Sequence, residues 1–368
     1  MLVSYLILGG FQQTIKEKIF SFAAHIQVSK YAFGNSFQEN PISIHDIVQK
    51  GDEGLHFIDH VQEFSYKGGL LKTDEEVQGV IFKGVGRSFD TTRFEKNMMK
   101  GRFVRFSDSS YSNEVLLSKK IADKLKLALG EEVLMYYVQN PPRFRKLRIV
   151  GIYDTGLEDF DEKVILGDIA LIQRLNNWPD SLVGGYEVFV KDYNNISRAT
   201  EILQEETPYD QYVEKTSDKY LQIFDWLSLL HRNVIIFLSL ILFVACFNMV
   251  SILLILIMER TQMIGLLKAL GATQKQIRDI FVYKGIMMMG KGLLIGNVIG
   301  LGFGFLQDKL KLITLDPENY YMEFVPIAWD WPVILLLNLM TFVVVSLVLL
   351  IPTVIISRVN PIKAIHFD

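Results

Sequence analysis

The chain has 368 residues, of which 50% are hydrophobic and 12% aromatic, and a formal net charge of -3. That balance excludes a phosphate-backbone binder, which needs a clustered basic surface, so nucleic acid is not expected as a partner. The one cysteine, Cys246, sits in an apolar run; no disulfide can form within the chain, and any part outside the cytoplasm must be held by packing alone.

In chain order, "MLVSYLILGG" (1–10) comes first. It is apolar for only about 8 residues before Gly9, too short to cross a bilayer that needs about 20, and no basic stretch marks it as a signal peptide. It reads as the second half of a truncated first span, in preference to a short interfacial anchor. Phe11 to Phe22 reads as a helix continuing out of it. Residues 11–233 have ordinary globular composition without a clear repeat. Strand-like alternation appears in "HIQVSKY" from His25, "VQGVIFKGVG" near Val77, "EEVLMYYV" near Glu131, "KLRIVGIYDTG" near Lys146 and "YEVFVKDY" near Tyr186. Helices are predicted over Ser118 to Gly130, with Ile121, Leu125 and Leu129 on one face, near Asp168, and over Ser197 to Glu206. Strands mixed with a few helices predict an α+β domain. A last helix, from about Ser217 to Arg232, leads as a stalk into the next span.

Three long apolar runs follow. Residues 234–258 carry no charge, 285–306 carry only Lys291 near the start, and 333–357 are again uncharged, with Pro352 near the end. Each is long enough to span, and together they exceed what a soluble core would use. The loop 259–284 holds Arg260, Lys268, Lys275, Arg278 and Lys284, and the tail 358–368 holds Arg358 and Lys363. The loop 307–332 is mainly acidic. The positive-inside rule places 259–284 and the tail in the cytoplasm, and 307–332 with 11–233 outside. Trp329 and Trp331 fit an interfacial belt. The expected fold class is therefore a membrane α-helical protein of four-span topology, its first span truncated, with a large extracytoplasmic α+β domain.

No catalytic constellation stands out. G-x-S-x-G and the G-x-x-x-x-G-K-[ST] phosphate loop are both missing, and "GVGRS" at Gly84 lacks the required Lys-Ser/Thr and reads as a turn. His56 and His60 are four apart, but "LHFIDHVQEF" looks more like strand than helix and no glutamate base lies between them, so no metal is expected. "QNPPRFRK" (Gln139 to Lys146) separates two strand-like segments. Its prolines suppress pairing, and Arg143, Phe144 and Arg145 place cations around an exposed aromatic, a composition frequent in binding hot spots. Without further information a solvated hairpin loop is the preferred reading. Gly292, Gly296, Gly300 and Gly304 recur every fourth residue of the third apolar run; glycine is costly in a helix, and close approach of another helix, expected within the chain, explains it.

"ERTQMIGLLKALGATQKQI" (Glu259 to Ile277) is helix-compatible up to Leu270, with Ile264, Leu267 and Leu270 spaced to share a face. Gly271 stands where a glycine ends a helix. Thr273 and Gln276 fit a capping box for a second helix. Physics alone leaves open whether this is a connector lying on the inner leaflet or a rigid knob that docks a partner.

This stretch closely resembles the motif after the second span of FtsX/MacB-type permeases, the type VII ABC transporter fold, and the tail "SRVNPIKAI" resembles that family's close. The layout, one span, a large external domain and three further spans, matches as well. "GFQQTIKEKIFSFAAHIQV" and "VGIYDTGLEDFDEKVIL" look most like the lipoprotein-releasing permeases of the LolC/LolE type. The resemblance implies a permease with no ATPase activity and no bound cofactor. ATP and Mg belong to a separate ABC ATP-binding subunit (LolD-like) docked on the hairpin, which gives Glu259, Arg260, Gly265, Leu267, Lys268, Gly271 and Ala272 coupling roles. It implies a second permease subunit, a lipoprotein whose acyl chains lie between the first and second spans, contact with membrane lipid, and a periplasmic carrier (LolA-like). The 139–146 loop lies where a carrier-recruiting hook would be, pointing to Pro141, Pro142, Arg143 and Phe144. Phe237, Leu240, Val244 and Phe247 are candidate acyl-chain contacts, chosen by helical spacing rather than by a motif. A mechanotransmission permease of the macrolide-efflux or cell-division class shares the fold and is the alternative.

Overall fold

Alternation of apolar and polar residues along Arg143–Tyr153 buries Leu147, Ile149 and Tyr153 and leaves Arg148 in water, the mark of a strand with one face on a core. A computed structural model of the chain describes residues 1–30, 39–43, 56–107, 110–316 and 320–352. The tail 358–368 and the last residues of the 333–357 run lie outside them. Contacts divide the described chain in two. Ile15–Phe224 with Asp316–Met322 form one unit; Met1–Thr14, Asp225–Leu315 and the residues from Glu323 on form the other.

The first unit is an α/β domain. Its strands are β1 (Ile26–Lys30), β2 (Ile42–Ser43), β3 (Ile58–Lys72), β4 (Val77–Val85), β5 (Met98–Gly101), β6 (Glu114–Ser118), β7 (Glu132–Tyr137), β8 (Arg143–Tyr153), β9 (Val164–Asp168), β10 (Leu182–Val183), β11 (Gly185–Val190) and β12 (Gln211–Lys215). Ten form a mixed sheet in the order β12-β1-β11-β3-β4-β9-β6-β8-β5, with β7 against β3 and β8, while β2 and β10 make a separate ribbon. The β4–β9 and β6–β8 pairs are parallel. β9 is buried along its whole length, so it shows no period of two and its sequence alone does not announce it.

The helices are α1 (Leu2–Phe22), α2 (Thr91–Glu95), α3 (Lys119–Lys124), α4 (Glu158–Asp161), α5 (Ile169–Asn176), α6 (Ile196–Glu206) and α7 (Thr216–Lys219). α1 runs unbroken through Gly9 and Gly10. The helix expected to reach Gly130 is shorter. Ser118 caps it through Ile121 N (3.1 Å), but Lys126 turns to a positive φ of 54° and the chain leaves the axis, which puts Leu129 in water. Packed under α5 and α3 is a core of Leu71, Phe82, Val115, Leu117, Ile149 and Ile172.

One buried ion pair joins the sheet to the end of α1. Lys83 Nζ lies 2.7 Å from Glu187 Oε1 and donates to the Phe22 carbonyl at 2.5 Å, and both charged side chains are fully buried. Gln27 and Gln62 donate to the two Glu187 oxygens (3.1 and 2.6 Å), so the charges are satisfied on all sides. Burial pushes the Lys83 pKa down and the Glu187 charge pulls it back.

The other unit is helical. α8 (Leu221–Glu259), α9 (Thr261–Ala269), α10 (Gln274–Leu310) and α11 (Trp331–Val348) dominate it. Among the described residues, three helices are long and apolar enough to cross a membrane: Leu221–Glu259, Gln274–Leu310 and Trp331–Pro352. The expected stalk is not a separate element. The chain breaks at Tyr220, and everything from Leu221 is one 39-residue helix. At about 1.5 Å per residue, α8 and α10 are each between about 55 and 60 Å long, well beyond a hydrocarbon core of about 30 Å. Asn297 and Asn338 exchange reciprocal amide hydrogen bonds (2.7 and 3.0 Å) and so tie α10 to α11.

Candidate functional site

The stretch 259–277 forms a tight helical hairpin. Arg260 leaves helical geometry between α8 and α9. At the other end of α9 the Gly271 amide donates to the Lys268 carbonyl (3.1 Å) and the Ala272 amide to that of Leu267 (2.9 Å), the two bonds of a Schellman turn. Gly271 has a φ of +94° with open space where a side chain would go, so glycine is required by the backbone and not by crowding. Thr273 then opens α10. Its hydroxyl accepts from Gln276 N (3.3 Å), and its own amide donates to Gln276 Oε1 (2.8 Å).

A small core fixes the hairpin against the long helices: Leu253, Ile257, Ile264, Ile277, Phe281 and Leu349 are buried, with Leu267 and Ala272 packed on them. Gly265 is buried as well. Leu270 does not share this face. It is 76% exposed, because the chain has left the α9 helix by that position. It borders a groove of about 970 Å³ whose walls include Leu267, Gly271, Ala272, Ile280, Tyr283 and Met287. Of the seven coupling candidates, Leu267, Gly271 and Ala272 line this groove; Glu259 and Arg260 are exposed, Lys268 is half-buried and Gly265 is buried. Spacing alone does not reveal Leu270, Ile280 and Tyr283 as parts of one groove, because they come from two helices.

In the α/β domain, β7 and β8 form a hairpin whose loop is confined to 138–142; Arg143 to Lys146 belong to β8, which the two prolines had concealed. Pro141 and Pro142 are exposed at the tip. Arg143 is not a cation offered to solvent. Its guanidinium donates to the Arg174 (3.2 Å) and Leu175 (3.0 Å) carbonyls at the end of α5 and reaches Asn177 Oδ1 (3.4 Å). It therefore closes the helix terminus and steadies the loop. Phe144 points the other way and is 60% exposed. It pairs across the sheet with Tyr136 (ring centroids 5.8 Å apart), and Tyr136 pairs with Leu70. Three exposed apolar side chains thus share one cross-strand row, invisible in sequence because they lie on three strands.

Phe237, Leu240, Val244 and Phe247 are all exposed on α8, and Phe243 extends their stripe. The glycines of α10 divide. A Cβ at Gly300 would lie 3.7 Å from Val3 Cγ2 and one at Gly304 3.5 Å from Leu6 Cδ1, while the space at Gly292 and Gly296 is open among the described residues. Neighbours within the chain therefore reach two of the four, at distances where a methyl group would still fit. A four-residue step overshoots a helical turn by about 40°, so a stripe of four cannot stay on one straight neighbour.

His60 Nε2 is 2.6 Å from the Ser88 carbonyl, and among the described residues no cluster of metal-ligating side chains occurs.

Residues 1–206 match the MacB-like periplasmic core domain family, and residues 235–361 the FtsX-like permease C-terminal family. The lipoprotein-releasing system transmembrane protein LolC of Neisseria meningitidis serogroup B is 22% identical over 100% of this chain and 91% of its own length. The macrolide export ATP-binding/permease protein MacB of Bdellovibrio bacteriovorus is 24% identical over 84% of this chain and 50% of that protein. Among solved structures, the periplasmic region of MacB from Actinobacillus actinomycetemcomitans aligns at 15% identity over 56% of this chain and 95% of that one, with a TM-score of 0.38.

Proposed function

This chain belongs to the FtsX/MacB-type permease family, and on that premise we propose that it is the permease subunit of an ABC transporter that extracts lipoproteins from the outer leaflet of the inner membrane and hands them to a periplasmic carrier. ATP hydrolysis takes place in a separate ATP-binding subunit. The observation that carries the lipoprotein reading is the alignment, over the whole chain, with a relative named for lipoprotein release.

The geometry supports a division of labour. The capped hairpin 259–277 faces the cytoplasm and receives the ATP-binding subunit in the groove beside Leu270. α1 acts as the first of four spans. A second permease subunit, of the same or a related chain, completes a cavity in which Phe237, Leu240, Val244 and Phe247 contact acyl chains. The tip at Pro141 and Pro142, with Phe144 behind it, meets the carrier, while Arg143 positions the tip. Withdrawing acyl chains from lipid costs about 0.8 kcal/mol per CH₂, so release needs an energy source, and an exposed apolar stripe gives the chains a surface to move onto.

The half-length match to the macrolide export protein favours a second reading, a mechanotransmission permease of the macrolide-efflux or cell-division class. Mass spectrometry of what co-purifies with the tagged full-length chain from its native membrane separates the two. An ATP-binding subunit recovered with acylated lipoproteins is the expected result. The same subunit recovered with an outer-membrane channel or a cell-wall hydrolase would select the second reading.

A further inference from the structure

The end of α10 far from the hairpin carries a fully buried amide. Gln307 Nε2 donates to the Ile313 carbonyl (3.2 Å) and the Val325 carbonyl (3.1 Å), and Gln307 Oε1 accepts from Ile313 N (2.9 Å). The two segments it grips also pair with each other. Val325 N donates to the Ile313 carbonyl (3.1 Å), Leu315 N donates to the Glu323 carbonyl (2.9 Å), and Thr314 bridges Phe324. A leucine would fill the same space; glutamine instead satisfies backbone groups that would otherwise be buried unpaired.

From this ribbon, residues 326–328 run along α1. Ala328 N donates to the Leu6 carbonyl at 3.0 Å. In an α-helix that carbonyl faces residue i+4, here Gly10. A side chain at position 10 would stand 2.4 Å from the Pro326 carbonyl oxygen, so only glycine admits the strap. A Cβ at Gly9 would lie 3.2 Å from Ala328 Cβ, and one at Gly304 would lie 3.5 Å from Leu6 Cδ1 and 3.4 Å from Trp329. α1, α10 and residues 323–328 therefore meet at one junction, joined by the Ala328–Leu6 backbone hydrogen bond and the Gln307 amide, with close packing at Gly10 and Gly9 and ordinary van der Waals contact at Gly304.

We propose that this junction is a permanent clamp that carries displacement from α10 to α1 and stays shut throughout the transport cycle, with Gln307 and Gly10 as its positioning residues. The proposal rests on the permease reading above. α10 is a single helix from the Thr273 cap to Leu310, so a push at the hairpin arrives at Gln307 as movement of a rod. The clamp passes it to Leu6 and Gly10, and α1 continues from there to Phe22.

The Gly9–Ala328 approach offers a direct test. Paired cysteines in a disulfide hold their Cβ atoms about 3.8 Å apart, about half an ångström beyond the 3.2 Å at which a Cβ on residue 9 would lie from that of Ala328. The double variant Gly9→Cys/Ala328→Cys, in a Cys246→Ser background and with the ATP-binding partner co-expressed, is oxidised in membranes, both at rest and trapped with ATP and vanadate. The clamp predicts equal cross-link yield in both states. It also predicts release of palmitate-labelled lipoprotein by the cross-linked form within about twofold of the reduced form. A several-fold drop in yield on trapping, or loss of release restored by reductant, overturns it. No release in either redox form would count against the lipoprotein reading, while the cross-link yields would still decide the clamp. Gln307→Leu supplies a readout that a merely structural side chain would not move: ATP consumed per lipoprotein released rises at least fivefold, and an unchanged ratio contradicts the role.

Discussion

His25 shows how burial sets the chemistry of a single side chain in this molecule. Its Nδ1 accepts a hydrogen bond from Val190 N at 3.0 Å, and its ring packs edge-on against Phe20 and Phe189. Burial first, and the Arg93 charge second, lower its pKa from 6.5 to about 4, with Asp59 pulling the other way. Because the folded value is depressed, the unfolded chain takes up the proton first. The contribution of His25 is fully present above about pH 6.5 and is lost as pH falls toward about 4. Between pH 7 and pH 5 this amounts to about 2 kcal/mol. Denaturation of the full chain in detergent at both pH values, wild type against His25→Gln, should show the stability gap between them narrow by about that much. An unchanged gap would mean that the imidazole titrates normally. The sequence marks His25 only as the start of an alternating strand; its environment comes from Phe189 and Arg93, which are distant in sequence, and from Phe20 at the end of α1.

At the scale of elements, legibility followed the source of each stabilising contact. The hairpin 259–277 was readable because its caps are local: Gly271 for a positive φ, Thr273 and Gln276 for a box three residues wide. The strand at Lys146 was readable from alternation, and β11 from Tyr186, though buried along its whole length, from the Glu187 that breaks its apolar run. β9 was not, since both its faces are buried, and the extension of β8 back to Arg143 was hidden behind Pro142. The candidate docking row Leu70–Tyr136–Phe144 and the groove beside Leu270 are products of strand register and helix packing, which no single stretch encodes. The same holds for Asn297 and Asn338, 41 residues apart, whose reciprocal amide bonds join two apolar helices. Such pairs in membrane proteins are worth about 1 kcal/mol. A double-mutant cycle with Asn297→Leu and Asn338→Leu, read by unfolding in mixed micelles, should return a coupling of about that size. A coupling indistinguishable from zero would reduce the pair to two independent polar side chains.

For the whole molecule, the proposed clamp implies a mechanical sequence. A capped hairpin opens α10, α10 reaches the Gln307 junction without a break, and α1 leaves that junction for Phe22, whose carbonyl is held by Lys83. The fully buried Gln307, Lys83 and Glu187 are all partnered, as buried polar groups must be. On the proposed function, the hairpin converts ATP hydrolysis in a partner into lipoprotein release. The most direct measurement is ATP-dependent transfer of palmitate-labelled lipoprotein from proteoliposomes to soluble carrier, comparing the intact transporter with one carrying Leu270→Glu in the exposed groove. Transfer that requires hydrolysable ATP and falls at least tenfold in the variant, at equal amounts of folded permease, is the predicted result. Transfer indifferent to ATP, or undiminished by a charge at position 270, would contradict it.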